Sequence, residues 1–212
     1  MKIIREHKRT LVLTGFLILL PTLAGLVLWD KLPDTIATHF GLDNAPDGWS
    51  SKPFAVLGIP LFLLALQWLG LLITARDPKK QNIAPRMLEL VLWILPLCSN
   101  LLGVLCYGYA LGWQPDVGRI SSLFIGFLFL VIGNSLPKCR QSYTMGIKLP
   151  WTLNSEENWQ RTHRLGGFLY CAAGLGILVC AVPGWYIPIF VLLGAAILVP
   201  VLYSLLLHKR GI

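Results

Sequence analysis

Charge is scarce in this sequence. Only 13% of its 212 residues are Asp, Glu, Lys or Arg, against 55% hydrophobic, and the mean hydropathy is +0.66. Soluble domains keep about a quarter of their residues charged, so that class is excluded. Catalytic signatures are missing as well: no HExxH, no GxGxxG, no phosphate-loop glycines and no GxSxG nucleophile elbow occur. Each of these would place a metal, a phosphate cradle or a nucleophile at a defined turn. Cys98, Cys106, Cys139, Cys171 and Cys180 form no CxxC pair, and all but Cys139 lie in apolar runs, where a thiol packs as a small hydrophobe. Neither an enzymatic activity nor a cofactor or metal is expected.

What the chain does have is long charge-poor runs. Crossing about 30 Å of hydrocarbon takes roughly 20 apolar residues as a helix, and such runs occur at 10–29, 53–75, 87–113 and 120–137. A charge-free tract of 43 residues, 165–207, is too long for one span. Pro183-Gly184-Trp185-Tyr186 near its middle reads as a turn with interfacial aromatics, dividing it into 165–183 and 187–207. The first run is longer than the apolar core of a secretory signal and lacks an A-x-A-like site after it, so it reads as a retained helix. The expected fold is an all-α integral membrane protein, a single membrane domain over 1–212 with six transmembrane helices.

Orientation follows from the basic residues, because cationic loops resist translocation. With six spans, Lys2, Arg5, Lys8 and Arg9 share a side with Arg76, Lys79, Lys80 and Arg86. Lys138, Arg140, Lys148, Arg161 and Arg164 fall there too, as do Lys209 and Arg210, leaving three of the 18 basic residues, Lys31, Lys52 and Arg119, opposite. Both termini and the loop 138–164 are thus expected in the cytoplasm, and the loop 30–52 outside. The net charge of +8 is then mostly topogenic; the lipid bilayer is a partner, and direct nucleic-acid binding is not expected.

Prolines recur inside the runs at Pro21, Pro60, Pro96 and Pro200. Each removes a backbone donor, which membranes tolerate where neighbours or water meet the freed carbonyl. Such kinks either open a central cavity or are absorbed as packing irregularity. Gly166, Gly167, Gly174, Gly176, Gly194 and Ala195 suit close helix contacts. Few polar residues interrupt the spans: Gln67, Glu89, Asn100 and Asn134. An ion path normally needs more ionisable groups than this.

Two connections carry the sequence-distinctive polar residues. The outer loop, Asp30–Lys52, holds four aspartates against two lysines. His39, Asp43 and Asp47 are spaced by four, but Gly41, Pro46 and Gly48 break any helix that would align them as metal ligands. Pro46-Asp47-Gly48 reads as a turn, with Trp49 anchoring the loop at the interface. The loop then reads first as a hydrogen-bonded structural segment, with a recognition surface or a metal site through His39, Asp43 and Asp47 as the alternatives.

The inner block runs from Gly133 to Gly167. Ile147–Thr152 is expected to be extended ahead of and around Pro150. Asn154 is the expected N-cap, with Glu157 three residues on completing a capping box. The helix from there places Trp159 and His163 on one face, with Ser155 a turn back, and runs into the fifth span. Two readings fit. In one, the block is an amphipathic elbow at the membrane surface, with Trp151 and Trp159 as anchors and Arg161 and Arg164 on lipid phosphates. In the other, Asn134, Glu156, Glu157 and His163 meet in a polar site, with His163 titrating near neutral pH.

Both connections resemble the SdpI family of bacterial membrane immunity proteins. Leu32-Pro33-Asp34, His39-Phe40 and Pro46-Asp47-Gly48-Trp49 are similar to the loop module of unknown role found ahead of the second span in such proteins. The more specific match is Gly133-Asn134, Leu136-Pro137-Lys138, Tyr143, Gly146-Ile147, Pro150-Trp151-Thr152-Leu153, Ser155-Glu156-Glu157-Asn158-Trp159 and Thr162-His163-Arg164. Ser142, Lys148 and Ser135 depart from it, standing where asparagine, arginine and an aromatic are usual. Lys148 keeps the charge but loses the bidentate guanidinium fork.

The resemblance implies a multi-pass plasma-membrane protein that protects a bacterium from a secreted toxic peptide, with a cytosolic transcriptional repressor as a second partner held at the membrane. On this reading His39, Asp43, Asp47 and Trp49 are candidate toxin or partner contacts. Asn134, Pro137, Gly146, Lys148, Pro150, Trp151, Thr152, Ser155, Glu156, Trp159, His163 and Arg164 form the functional motif. A membrane sensor without direct immunity and a small transporter are the alternatives.

Overall fold

The computed structural model describes residues 2–212, with side chains from Ile4 onward. Among the described residues six helices are long and apolar enough to cross a membrane: Lys8–Val27, Phe54–Ala75, Pro85–Ala110, Val117–Lys138, Glu156–Ala181 and Tyr186–Lys209, each of 20 to 26 residues. At 1.5 Å per residue the shortest of them reaches about 30 Å. The six-span reading is borne out. Large apolar side chains stay outside the protein core, among them Val27 (86% exposed), Ile187 (77%) and Phe168 (70%), a pattern costly in water and ordinary in lipid.

The chain folds as two compact units, one made of residues up to Ala75 with Leu88–Val117, the other of Arg76–Met87 with Gly118–Ile212. The first contains α1 (Lys2–Glu6), α2 (Lys8–Val27), a hairpin of β1 (Thr35–Phe40) and β2 (Pro46–Ser51), α3 (Ile59–Ala75) and most of α4 (Pro85–Ala110). A π-helical turn, Phe54–Gly58, leads into α3.

Proline chemistry organises this unit. Pro21 cannot donate to Leu17 four residues back, and the amide of Asn100 on α4 takes the vacant place, 2.9 Å from the Leu17 carbonyl. Ser99 donates to the next carbonyl, Ile18, at 2.8 Å. Pro60 likewise frees Val56, whose carbonyl accepts from Thr22 at 2.8 Å. Gln67 on α3 donates to Thr14 on α2 at 2.9 Å. Where Pro21, Pro60, Ser99 and Tyr107 converge, the cavity measures only about 20 Å³, enough for about one water. At Pro21 and Pro60 the freed carbonyls are therefore met by donors on neighbouring helices, and the cavity between them stays small.

The outer loop departs from expectation in its turn. Pro46-Asp47-Gly48 lies on β2, and the chain reverses at Gly41–Ala45, where Asn44 takes φ 62° and the Asp43 carboxylate accepts the Ala45 N–H at 3.1 Å. Asn tolerates the left-handed region and Asp closes its own turn, so this segment outcompetes the Pro-Gly pair. Gly48 is needed instead for close approach: a Cβ there would sit 2.8 Å from the His39 Cβ across the ladder. Ile36 and Ala37 of β1 are buried, and Ile36 packs with Leu32, Val56, Cys106 and Tyr107.

The second unit holds α5 (Val117–Ser135, from Gly118 on), α6 (Pro150–Asn154), α7 (Glu156–Ala181) and α8 (Tyr186–Lys209). Helices α5 and α7 meet through paired glycines. A Cβ at Gly167 would stand 2.8 Å from the Gly133 carbonyl oxygen, and one at Gly174 2.8 Å from that of Gly126. Gly176 is closed by Leu192 of α8, whereas Gly194 has open space around it and Ala195 is exposed; Ala196 is the buried small residue on that helix. The expected turn before α8 is present, with Gly184 at φ 75°.

Replacing Asn100 by Ala should lower thermal stability in detergent by about 1 kcal/mol. In a Pro21→Ala background, where residue 21 regains its own N–H, the same replacement should cost measurably less; equal costs in the two backgrounds would refute the repair.

Candidate functional site

The inner block is a compact polar assembly in the second unit, built around two side chains one helical turn apart. Trp159 and His163 stack with ring centroids 4.0 Å apart at 21°, the i, i+4 pairing expected of them. Both are buried, Trp159 to 1% exposure and His163 to 1%. The His163 Nε2 accepts the Ile147 backbone N–H at 2.9 Å, and its Nδ1 lies 2.8 Å from the Trp159 carbonyl. An accepting Nε2 carries no proton, so the hydrogen-bond pattern assigns the neutral Nδ1–H tautomer. The Trp159 indole donates to the Cys139 carbonyl at 2.8 Å. The pair thus holds an otherwise irregular segment at both ends.

Gly146 makes this possible. It takes φ 106°, and a Cβ on it would collide with His163 Nε2 and stand 2.9 Å from the Trp159 ring. Beyond it, Leu149 is extended (φ −123°, ψ 152°) and Pro150 opens α6. The extended reading of 147–152 therefore holds to Leu149 and fails from Pro150 on, because proline's fixed φ suits the first helical position. The Thr152 hydroxyl accepts the Leu149 N–H at 2.9 Å and reaches the Ile147 carbonyl at 2.9 Å. Ser142, buried completely, bonds the Met145 N–H at 3.1 Å and carbonyl at 3.0 Å.

The N-cap of α7 is Ser155, whose side chain accepts the Asn158 N–H at 3.2 Å. Asn154, the expected cap, closes α6 instead. The one-residue shift frees Asn158 to point inward, where its amide donates to the Ser204 and Ile212 carbonyls at 3.0 and 3.1 Å. Trp151 donates to the Ser204 hydroxyl at 2.9 Å and stacks on His208 with centroids 5.7 Å apart. Trp159 is thus a core residue rather than a lipid anchor, and Trp151 is committed to α8.

The polar-site reading is not what the geometry shows. Asn134, Glu156 and Glu157 are exposed, and Glu157 pairs with Arg161 at 2.5 Å. Both nitrogens of His163 are spent on backbone, so it offers no free base. Pro137 packs against Gly167. Lys148 reaches the Thr144 carbonyl at 3.2 Å from an exposed position, and Arg164 is exposed.

Sequence reasoning missed Asp77, which is 3% exposed. Its carboxylate accepts from the Lys79 N–H at 2.8 Å, the Tyr143 N–H at 2.9 Å and the Thr144 hydroxyl at 2.8 Å. Lys79 and Gln141 extend this clamp: the ammonium donates to Gln141 Oε1 at 2.6 Å, and Gln141 donates to the Thr152 carbonyl at 2.8 Å. The available signal was a lone acid among the basic residues of its loop.

In the first unit, the hairpin brings His39 and Asp47 together at 2.5 Å, while Asp43 serves the turn and Trp49 stays 55% exposed. Among the described residues no group of three or more His, Cys, Asp or Glu is placed to hold a metal.

Ala substituted for Gly146 should cost about 1–3 kcal/mol of stability, more than at Gly112, which shares a positive φ of 92° but has open space around it; equal costs would remove the steric role of the His163–Trp159 stack. Burial pushes the Cys139 thiol up to about 11. Its alkylation near pH 7.5 should be slower than that of a free thiol and accelerate about tenfold per pH unit, measured by mass spectrometry.

Residues 138–204 match the model of the SdpI/YfhL protein family, and residues 16–64 match a domain of unknown function, DUF1648. The chain is 25% identical over 172 residues to the immunity protein SdpI of Bacillus subtilis (strain 168), an alignment covering 79% of each chain. No solved structure matches. The family match begins at Lys138, beside the Trp159–His163 assembly, and takes in all of α6 and α7 and most of α8. With its six helices long and apolar enough to cross a membrane, the chain is a multi-pass bacterial membrane protein whose inner block and last two helices are similar to the SdpI/YfhL family.

Proposed function

We propose that this protein is a membrane immunity protein, protecting the cell that makes it from a secreted toxic peptide. The observation that carries this is the similarity to an immunity protein across 79% of both chains, combined with a motif block whose buried polar groups are spent on one another rather than on a reacting centre. The role is one of binding and is non-enzymatic. Charge placement supports an orientation with both termini and the motif block in the cytoplasm and the hairpin outside. The toxin then meets the hairpin first, and the motif block holds or reports the resulting state.

Recruitment of a cytosolic repressor is a finer form of the same reading. What supports it is the charged, exposed face of the block, with Lys148, Glu156, Arg161 and Arg164 accessible around a rigid interior. Those positions separate the two activities better than Trp151 or His163, whose replacement would disturb packing.

Expression in a sensitive bacterium should raise tolerance to the cognate peptide, and Gly146→Ala should reduce that gain. Unchanged killing with membrane expression confirmed would count against immunity. Loss of regulator recruitment in Lys148→Gln or Glu156→Gln with tolerance intact would establish a separate signalling role.

A further inference from the structure

The hairpin of the first unit ends in an unused strand edge. Among the described residues its sheet has two strands only, so each keeps one unpaired edge; β2 is the more accessible strand, with Asp47, Trp49 and Ser51 exposed in alternation, whereas Ile36 and Ala37 of β1 are buried. Lys52 donates its backbone N–H to the Asp34 carbonyl at 2.8 Å, and Thr35 pairs with Ser51, Ile36 with Ser50 and Ala37 with Trp49. In an antiparallel ladder this phase turns the N–H and C=O of Ser50 toward β1 and those of Trp49 and Ser51 away from it. Such an edge is a template for another strand. Proteins commonly blunt edges with lysine. Here the exposed charges are mostly acidic: Asp30, Asp34, Asp43 and Asp47 face solvent against one exposed lysine, Lys31, with Asp47 beside His39, while the Lys52 side chain is 12% exposed, 3.4 Å from Asp34 and over the Trp29 ring.

We infer that β2 is a docking edge for a cationic peptide that binds in extended conformation, adding a third strand beside Trp49 and Ser51. Main-chain bonds along the edge supply the pairing, the aspartates select positive charge, and Trp49 with Leu42, 65% exposed, offers apolar contacts for alternate side chains. The inference deepens the immunity reading and rests on it for the biological source of the peptide. Binding to a purified protein is nonetheless independent of any killing assay, so either can fail alone.

The test uses the full chain in zwitterionic nanodiscs, titrated against a fluorescent peptide of alternating lysine and valine and a twin N-methylated at every second residue. The twin keeps charge and side chains but lacks the donors for strand pairing. The parent peptide should bind, the twin at least tenfold more weakly, and Asp43→Asn with Asp47→Asn should weaken the parent and flatten its salt dependence. Ser51→Pro removes an outward N–H without touching the ladder and should weaken binding about tenfold, with hydrogen exchange confirming that the hairpin is intact. Equal binding of parent and twin, or no binding of the parent, overturns the inference; the twin comparison needs no variant to fold.

Discussion

In hydrocarbon no water is available to a backbone N–H or C=O, and this constraint governs the spans; burial within the protein imposes the same demand on the irregular segment that follows the fourth span. Ordinary helix satisfies most of the spans. The interesting chemistry lies where helix fails, at prolines and at the irregular segment 139–149, and in both places side chains supply the missing partners. Asn100 and Thr22 each sit opposite a carbonyl that a proline has orphaned. Trp159, His163, Thr152, Ser142 and Asp77 do the same for the irregular segment.

That division explains why the polar residues of the motif do not form a reactive centre. A buried polar group is stable when its hydrogen-bonding capacity is spent, and a general base must keep a lone pair for its substrate. His163 gives both nitrogens to backbone, and the carboxylates of Glu156 and Glu157 turn outward. What results is a rigid, internally satisfied element, with charged groups on its surface and a glycine-lined α5–α7 contact beside it. Rigidity of this kind suits a part that must hold one conformation while a partner or toxin is engaged.

Much of this was legible in the residues. Hydropathy located the six spans because lipid imposes length and composition directly, and the i, i+4 spacing paired Trp159 with His163. The family resemblance was legible in the same block. The hairpin was not: Pro46, Asp47 and Gly48 are poor strand formers, and they form β2 because Ile36 and Ala37 anchor β1 and Asn44 closes the turn. The cap at Ser155 was missed by one residue because a short helix, itself started by Pro150, consumes Asn154. Asp77 was invisible to charge counting, which weighs a loop by its sum and not by which carboxylate becomes buried. The hairpin and Asp77 share a cause, since each depends on contacts between segments distant in sequence, whereas the cap was lost to a local competitor.

The central claim is that the irregular motif segment is as well ordered as the helices around it, because side chains replace its missing ladder. Hydrogen–deuterium exchange of the full chain in nanodiscs, resolved to single amides, tests this directly. Tyr143, Met145, Ile147 and Leu149, each donating to a side chain, should exchange as slowly as amides in α7. Exchange at the rate of an unstructured peptide across 139–149 would contradict the account.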